Sequence, residues 1–323
     1  MNTYDIILIG AGHNGLTAAA YLAKAGQKVL VLERRALVGG TVATEELWPG
    51  FKVDTVQQHG QIRPDIARDL NLAQHGLEPV AAVGSIFAPR PDGSHLYLAP
   101  NYTQATEAIA RFSKTDAKHW PAFVSLMGKV ANFLSDVYAL TPPHLPKVDP
   151  AEGPALAQIG LKLRGLGKKD MMEVIRLVPM AALEMLDEWF ESDAMRGVIS
   201  AQAVHDLVQG PMGAGTVYNF SHHWVNHNGL FKTTPKGGVG QISQALAKAA
   251  QAFGAELRLN AEVAQINITD RRATGVTLKS GETFTARVIV ANADPRHTLL
   301  GLVDPLELDP EAIHQAQQIK MRS

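Results

Sequence analysis

The run YDIILI (Tyr4–Ile9), followed at once by GAGHNG (Gly10–Gly15), restricts this chain more than any other stretch. Six almost wholly apolar residues, several of them β-branched, predict a strand buried on both faces of a parallel sheet. From Asn14 to Ala25 the sequence NGLTAAAYLAKA has helical spacing, and Gly26 is placed to stop the helix. Residues 28–32 (KVLVL) predict a second strand that ends in Glu33. A Gly-x-Gly-x-x-Gly hexamer is weak evidence alone in a chain with 28 glycines. Between a strand and a helix, inside a β–turn–α–β unit, it predicts a dinucleotide-binding turn.

Each residue of the hexamer then has a physical task. Gly10 allows the tight turn out of the strand, and Gly12 lets a pyrophosphate approach the backbone. Gly15 allows the helix to pack close to the sheet. Ala11, His13 and Asn14 complete the turn at the helix N-terminus, where free N–H groups and a partial positive charge favour phosphate. Glu33 lies 18 residues beyond Gly15, where its carboxylate can accept ribose hydroxyls. Arg34 and Arg35 follow it as a solvated charged pair, with Arg34 counted among the cofactor contacts. A second glycine pair, Gly39-Gly40, with Thr41 behind it, is expected where a loop passes close over a bound dinucleotide. Together the two motifs favour FAD over NAD.

Composition removes alternatives. The formal net charge is −1 with no long run of one sign, so nucleic acid is not an expected partner. There is no cysteine, which excludes thiol chemistry and thiolate metal sites in this chain and fits a cytoplasmic compartment. With a strand starting at Tyr4 no signal peptide is expected, and no apolar run reaches the roughly 18 to 20 residues of a membrane span. Peripheral contact with a membrane through an apolar surface stays open.

The stretch GAGHNGLTAAAYLAKAGQKVLVLERRALVGGT resembles the N-terminal signature of the flavoprotein superfamily that contains amine oxidases and bacterial-type phytoene desaturases. The segments GFKVDTVQQHGQIRPDIARDL, LAQHGLEP, LDEWFESDAMRGVIS, GTVYNFSHHW, PKGGVGQISQALAKAA and VIVANADP narrow this to a branch close to the carotenoid desaturases. The resemblance covers nearly all of residues 4–315. It implies an α/β fold: a discontinuous Rossmann-like FAD-binding domain (1–75 and 233–300) with an inserted α+β substrate or cap domain (76–232). Residues 301–323 then begin a further segment. It also implies that the residue matching Val263 meets the adenine through its backbone.

Within the insertion, SIFAPRPDGSHLYLA predicts a hairpin with a Pro-Asp-Gly turn. Helices are expected from about Thr103 to Tyr138, then a proline-rich break (TPPHLPKVDP). Helices rich in Leu, Met and Ala follow over 155–210, and Pro179 divides one of them. Those helices either line a lipophilic cavity or pack a core. His222, His223 and His227 invite a metal reading, since i and i+4 spacing suits two ligands on one helical face. No Asp, Glu or Cys close in sequence completes the set, so no metal is expected. From Lys236 a glycine turn, an amphipathic helix, a stop at Gly254 and a strand pair return the chain to the first domain. A hairpin then leads to a buried strand, Val288–Ala291, which should set Ala291 and Asn292 near the dinucleotide.

Superfamily members run well past this length, and nothing after Ala293 resembles their final glycine-rich turn. The expectation is a fragment with the ADP-facing half of the site present and the flavin-ring half incomplete. Residues Val56–Gly60 are the best candidates for facing the ring, and His59, their one titratable member, is a weak catalytic candidate. The function this suggests is an FAD-dependent oxidoreductase removing hydride from a hydrophobic small molecule. The alternatives are a flavin amine oxidase, or an inactive nucleotide-binding interaction protein.

Overall fold

Alternation along the first strand decides how the layers form. In the computed structural model, which describes residues 3–56, 59–78, 80–142, 144, 149–227 and 229–320 (the side chains of 80–83 excepted), that strand is Thr3–Ile9. From Ile6 on, Ile6 and Leu8 face one hydrophobic cluster, whereas Ile7 and Ile9 face another. Val29 and Val31 of the strand Val29–Leu32 join the first cluster, Leu30 and Leu32 the second. Successive side chains point to opposite faces, so an unbroken apolar run needs cover on both.

The described residues divide into two compact units, those of 1–82 with 233–320 and those of 83–232. The first is built on a six-stranded sheet. Thr3–Ile9 lies between Thr283–Ala291 and Val29–Leu32, parallel to both, and Glu256–Arg258 extends the parallel part. Val263–Thr269 and Arg272–Leu278 add an antiparallel edge beside Thr283–Ala291. The helix His13–Lys24 packs against the helix Gly240–Ala252. Both bury small residues, Ala19, Ala20 and Ala23 on one and Ala245, Ala249 and Ala250 on the other, which allows close approach of the two backbones. Gly26, at φ +82°, ends the first helix as expected.

The strand Thr283–Ala291 is longer than expected and less buried at its end. Val288 is 42% exposed and Ala291 is also exposed. Only Phe284 and Ala286 of its alternating set are buried. Beyond Ala286, Ile289 and Val290 are half-buried, each packed against one of the two clusters. An apolar run fixes the strand but not what covers it.

The second unit pairs the hairpin Ile86–Pro89/His95–Leu98 with helices. Tyr102–Ala110 and Lys114–Tyr138 follow, the latter with Pro121 inside. Of the proline-rich break, residues 143 and 145–148 lie outside the described set. One helix ends at Leu177 and the next begins at Ala182, so Pro179 does divide them. Trp120, Phe123, Phe190, Phe220 and Trp224 form the centre of this unit's core, with Met127, Met180, Met185 and Met195 buried around them. These methionines pack the core.

Asp116 is fully buried in that unit and bridges two segments. Its carboxylate accepts from the backbone N–H groups of Glu191 (2.8 Å) and Ser192 (3.1 Å) and from Ser192 Oγ. Asp116→Ala would leave these part-buried donors without their acceptor. It is expected to cost about 3–5 kcal/mol in urea unfolding, because bonds to a buried charge are strong and orphaned donors are expensive. A loss below about 1 kcal/mol would show that the donors find other partners.

Candidate cofactor-binding site

Two glycine loops meet above the carboxyl ends of the parallel strands. The N–H of Gly39 donates to the carbonyl of Ala11 at 2.8 Å, and Gly12 and Gly39 pair as an isolated parallel bridge. A Cβ on Gly40 would lie 3.2 Å from the Cα of Gly12. The second pair is therefore needed first for contact between the loops. Gly39 (φ +120°) and Gly40 (φ +60°) also adopt left-handed backbone that few other residues tolerate.

Asn292 closes the hexamer from the far end of the unit. Its N–H donates to the carbonyl of Ile9 at 2.8 Å, and Ala291 is the register partner of Ile9. A Cβ on Gly12 would meet Asn292 Nδ2 at 2.8 Å. One on Gly15 would meet the Gly10 carbonyl oxygen at 2.5 Å and the same amide at 2.9 Å. Gly12 is also the N-cap of the helix His13–Lys24 and brings no capping side chain, so among the described residues no cap side chain takes up the N–H groups of the first turn.

Glu33 is 6% exposed. One carboxylate oxygen accepts from the N–H of Ala11 at 2.8 Å and the other from that of Arg35 at 2.9 Å. Each oxygen keeps a second lone pair. The Ala261 N–H reaches the Glu33 carbonyl (2.8 Å), which brings the buried Val263, two residues on, to the same corner. Arg35 pairs with Glu45, whereas Arg34 is exposed. Asn14 and Thr41 are exposed beside the loops.

His13 is half-buried in the turn, and burial lowers its pKa below the ordinary value. An unfolded imidazole takes up its proton near a pKa of about 6.5, the folded one at lower pH. The unfolded state binds more protons between the two values, so stability should fall as pH drops through that window and level off below it. His13→Asn is expected to reduce that slope in cofactor-free protein, read as the unfolding midpoint between pH 7 and 5, without removing it, because burial also lowers the pKa of His222 and His223.

Within Val56–Gly60, residues 57 and 58 lie outside the described set. His59 Nδ1 lies 3.3 Å from Thr234 Oγ1, and the Gly60 N–H donates to the Thr233 carbonyl at 2.8 Å. The histidine is thus tied to a neighbouring strand of the same unit.

The glycines of PKGG do not face the hexamer. A Cβ on Gly238 would strike Thr44 Oγ1 (2.5 Å) and Asp54 Oδ1 (2.7 Å). Asp54 accepts from the Val239 N–H and Thr44 Oγ1 from that of Gly240, while Ser243 Oγ donates to the Val42 carbonyl. Thr44, Asp54 and Ser243 carry no motif that would have marked them. Their task is to anchor the second glycine loop to the helix Gly240–Ala252.

On these observations the residues present fit a dinucleotide. Gly12 and Gly40 bring no side chain of their own to the corner where the loops meet, the first helical turn offers donors, and Glu33 offers acceptors. The comparisons with known proteins agree. Residues 15–323 match the family described as flavin-containing amine oxidoreductase. The chain belongs to that family, and its cofactor is FAD.

Among its relatives is the rat pyridine nucleotide-disulfide oxidoreductase domain-containing protein 2. It is 29% identical over 99% of this chain and 58% of its own length. One of the limonene dehydrogenase subunits of Castellaniella defragrans is 31% identical over 91% of this chain and 52% of its own. A putrescine oxidase solved with putrescine shares the fold with a TM-score of 0.59 and 19% identity, covering 98% of this chain and 63% of that one. The chain therefore spans little more than half the length of the curated relatives.

Proposed function

We propose that the protein is an FAD-dependent oxidoreductase of the dehydrogenase or desaturase type, acting on a hydrophobic small molecule. The observation that carries this is the corner where the two glycine loops, Glu33 and Asn292 converge. In this reading Gly10, Ala11, Gly12, His13, Asn14 and Gly15 hold the pyrophosphate. Glu33 accepts from the ribose, with Arg34 and the backbone of Val263 beside the adenosine. Gly39, Gly40, Thr41 and Ala291 border the path of the dinucleotide. Residues 1–75 and 233–300 then form the FAD-binding domain and 76–232 the substrate domain.

When bound, the flavin supplies the two-electron redox chemistry. The chain's own part is to bind and orient it. The first-turn N–H groups and the helix dipole offset phosphate charge, and Glu33 fixes the ribose by two acceptor lone pairs. A hydrophobic substrate is supported by the named substrate of the limonene dehydrogenase relative, a hydrocarbon. The family description favours an amine as the second reading.

Purified protein should carry an absorption band near about 450 nm from bound flavin. Under anaerobic conditions a terpene or other apolar substrate should bleach that band, and a panel of primary amines should not. Bleaching by amines alone would select the second reading. Colourless protein that cannot be reconstituted with FAD would overturn both. Among the described residues no helix is long and apolar enough to cross a membrane, and the cytoplasmic location expected from composition is checked by cell fractionation.

A further inference from the structure

The histidines at 222, 223 and 227 lie on one helix, Thr216–His227, but tertiary contacts separate their tasks. His222 turns to Tyr138, with Nδ1 3.1 Å from the phenol oxygen. His223 turns the other way, and its Nε2 lies 3.2 Å from the carbonyl oxygen of His205. His205 belongs to the turn that follows the helix Asp193–Ala203. Asn219, one helical turn before His223, donates to the carbonyls of Ala203 (2.8 Å) and His205 (3.0 Å). The helix therefore grips this turn at two points.

At the gripped turn, His205, Asp206 and His223 each offer one donor atom within 4.8 Å of the others. Asp206 adopts left-handed backbone (φ +64°), which an aspartate tolerates better than most residues. Its Oδ2 is 2.9 Å from His205 Nδ1, yet that buried nitrogen makes no hydrogen bond among the described residues. The two atoms are close without pointing at one another, as neighbouring ligands of one ion are. Metal–ligand bonds of about 2.0–2.2 Å set adjacent donors about 3.0–3.5 Å apart. The small cavity beside them, about 10 Å³, is bordered by His205, His223, His227 and Lys232, and is of the order of one water or ion.

We propose that His205, Asp206 and His223 form a binding site for one divalent transition-metal ion such as Zn²⁺ or Co²⁺. Two imidazoles and a carboxylate suit these ions and disfavour calcium and magnesium. Solvent completes the coordination, because the Asp206 side chain is more than half exposed. Lys232 Nζ, 2.7 Å from His205 Nε2, holds the ring from the side away from Asp206. Its nearby positive charge opposes cation binding and lowers the affinity of the site. The ion would tie the turn after one helix to the face of the next, independently of flavin.

The test uses the full chain after chelator treatment, titrated with Co²⁺ by visible absorption and with Zn²⁺ by calorimetry, without added FAD. One equivalent should bind. Asp206→Asn and His223→Ala should each weaken binding at least about ten-fold, the scale seen for disturbed metal sites. His222→Ala, on the same helix but turned to Tyr138, should leave it unchanged. Asp206→Asn keeps the size of an exposed side chain, so folding does not confound it. Absence of saturable one-to-one binding, or equal weakening by His222→Ala, would overturn the proposal.

Discussion

Gly15→Ala is expected to abolish flavin binding and destabilise the first unit. The added Cβ would stand 2.5 Å from the carbonyl oxygen of Gly10 and 2.9 Å from Asn292 Nδ2. The first of these is backbone, in a turn already held by Gly10 at φ +96°, so it cannot yield as a flexible side chain would. Overpacking of this kind costs about 1–3 kcal/mol and sometimes more. The flavin-to-protein ratio after purification should fall below about a tenth of the normal value, since a shift of about 1.4 kcal/mol is already a factor of ten in affinity. Gly26→Ala is the control: nothing lies within 4 Å of its Cβ, and only the left-handed backbone (φ +82°) opposes it. That variant should lose about 1 kcal/mol of stability and keep its flavin. If Gly15→Ala stays yellow and melts normally, the hexamer is not the tight cradle described.

The second large effect is at Glu33. Glu33→Ala removes the acceptor for the N–H groups of Ala11 and Arg35, in a site where Ala11 is fully buried. Each orphaned donor costs about 1–3 kcal/mol, so a loss of about 2–4 kcal/mol is expected in cofactor-free protein. FAD affinity should fall further, because the ribose acceptor goes with it. Glu33→Gln keeps one oxygen and turns an amide on the other donor, so its effect should be intermediate. Urea unfolding without FAD and a fluorescence titration with FAD separate the two roles. An apo protein unaffected by Glu33→Ala would mean that the carboxylate serves the cofactor alone.

Much of the site was legible from local rules. The apolar run at Tyr4–Ile9, the glycines of the hexamer and Glu33 lie within one βαβ unit, where turn geometry and strand alternation act over a few residues. The hairpin at Pro91-Asp92-Gly93 and the break at Pro179 were readable for the same reason. Less was legible where one residue type serves two ends. PKGG reads only as a glycine turn that leads the chain back to the first domain, and it took the fold to show that Gly238 makes room for Thr44 and Asp54. A methionine-rich helix reads equally as cavity wall or core, and packing in the second unit made it core.

The sequence by itself determined the class of this protein: a strand, a glycine turn, a helix and an acid in the order a dinucleotide requires. It did so because those elements are set by backbone torsion and by the periodicity of side chains, both local properties. Tertiary structure alone decided that Asn292 lies over Gly12 and Gly15, that Gly39 bonds to Ala11, and that His223 meets His205 and Asp206 while His222 does not. These are contacts between residues far apart in the chain. They are set by the packing of whole elements, and no spacing along the sequence encodes them.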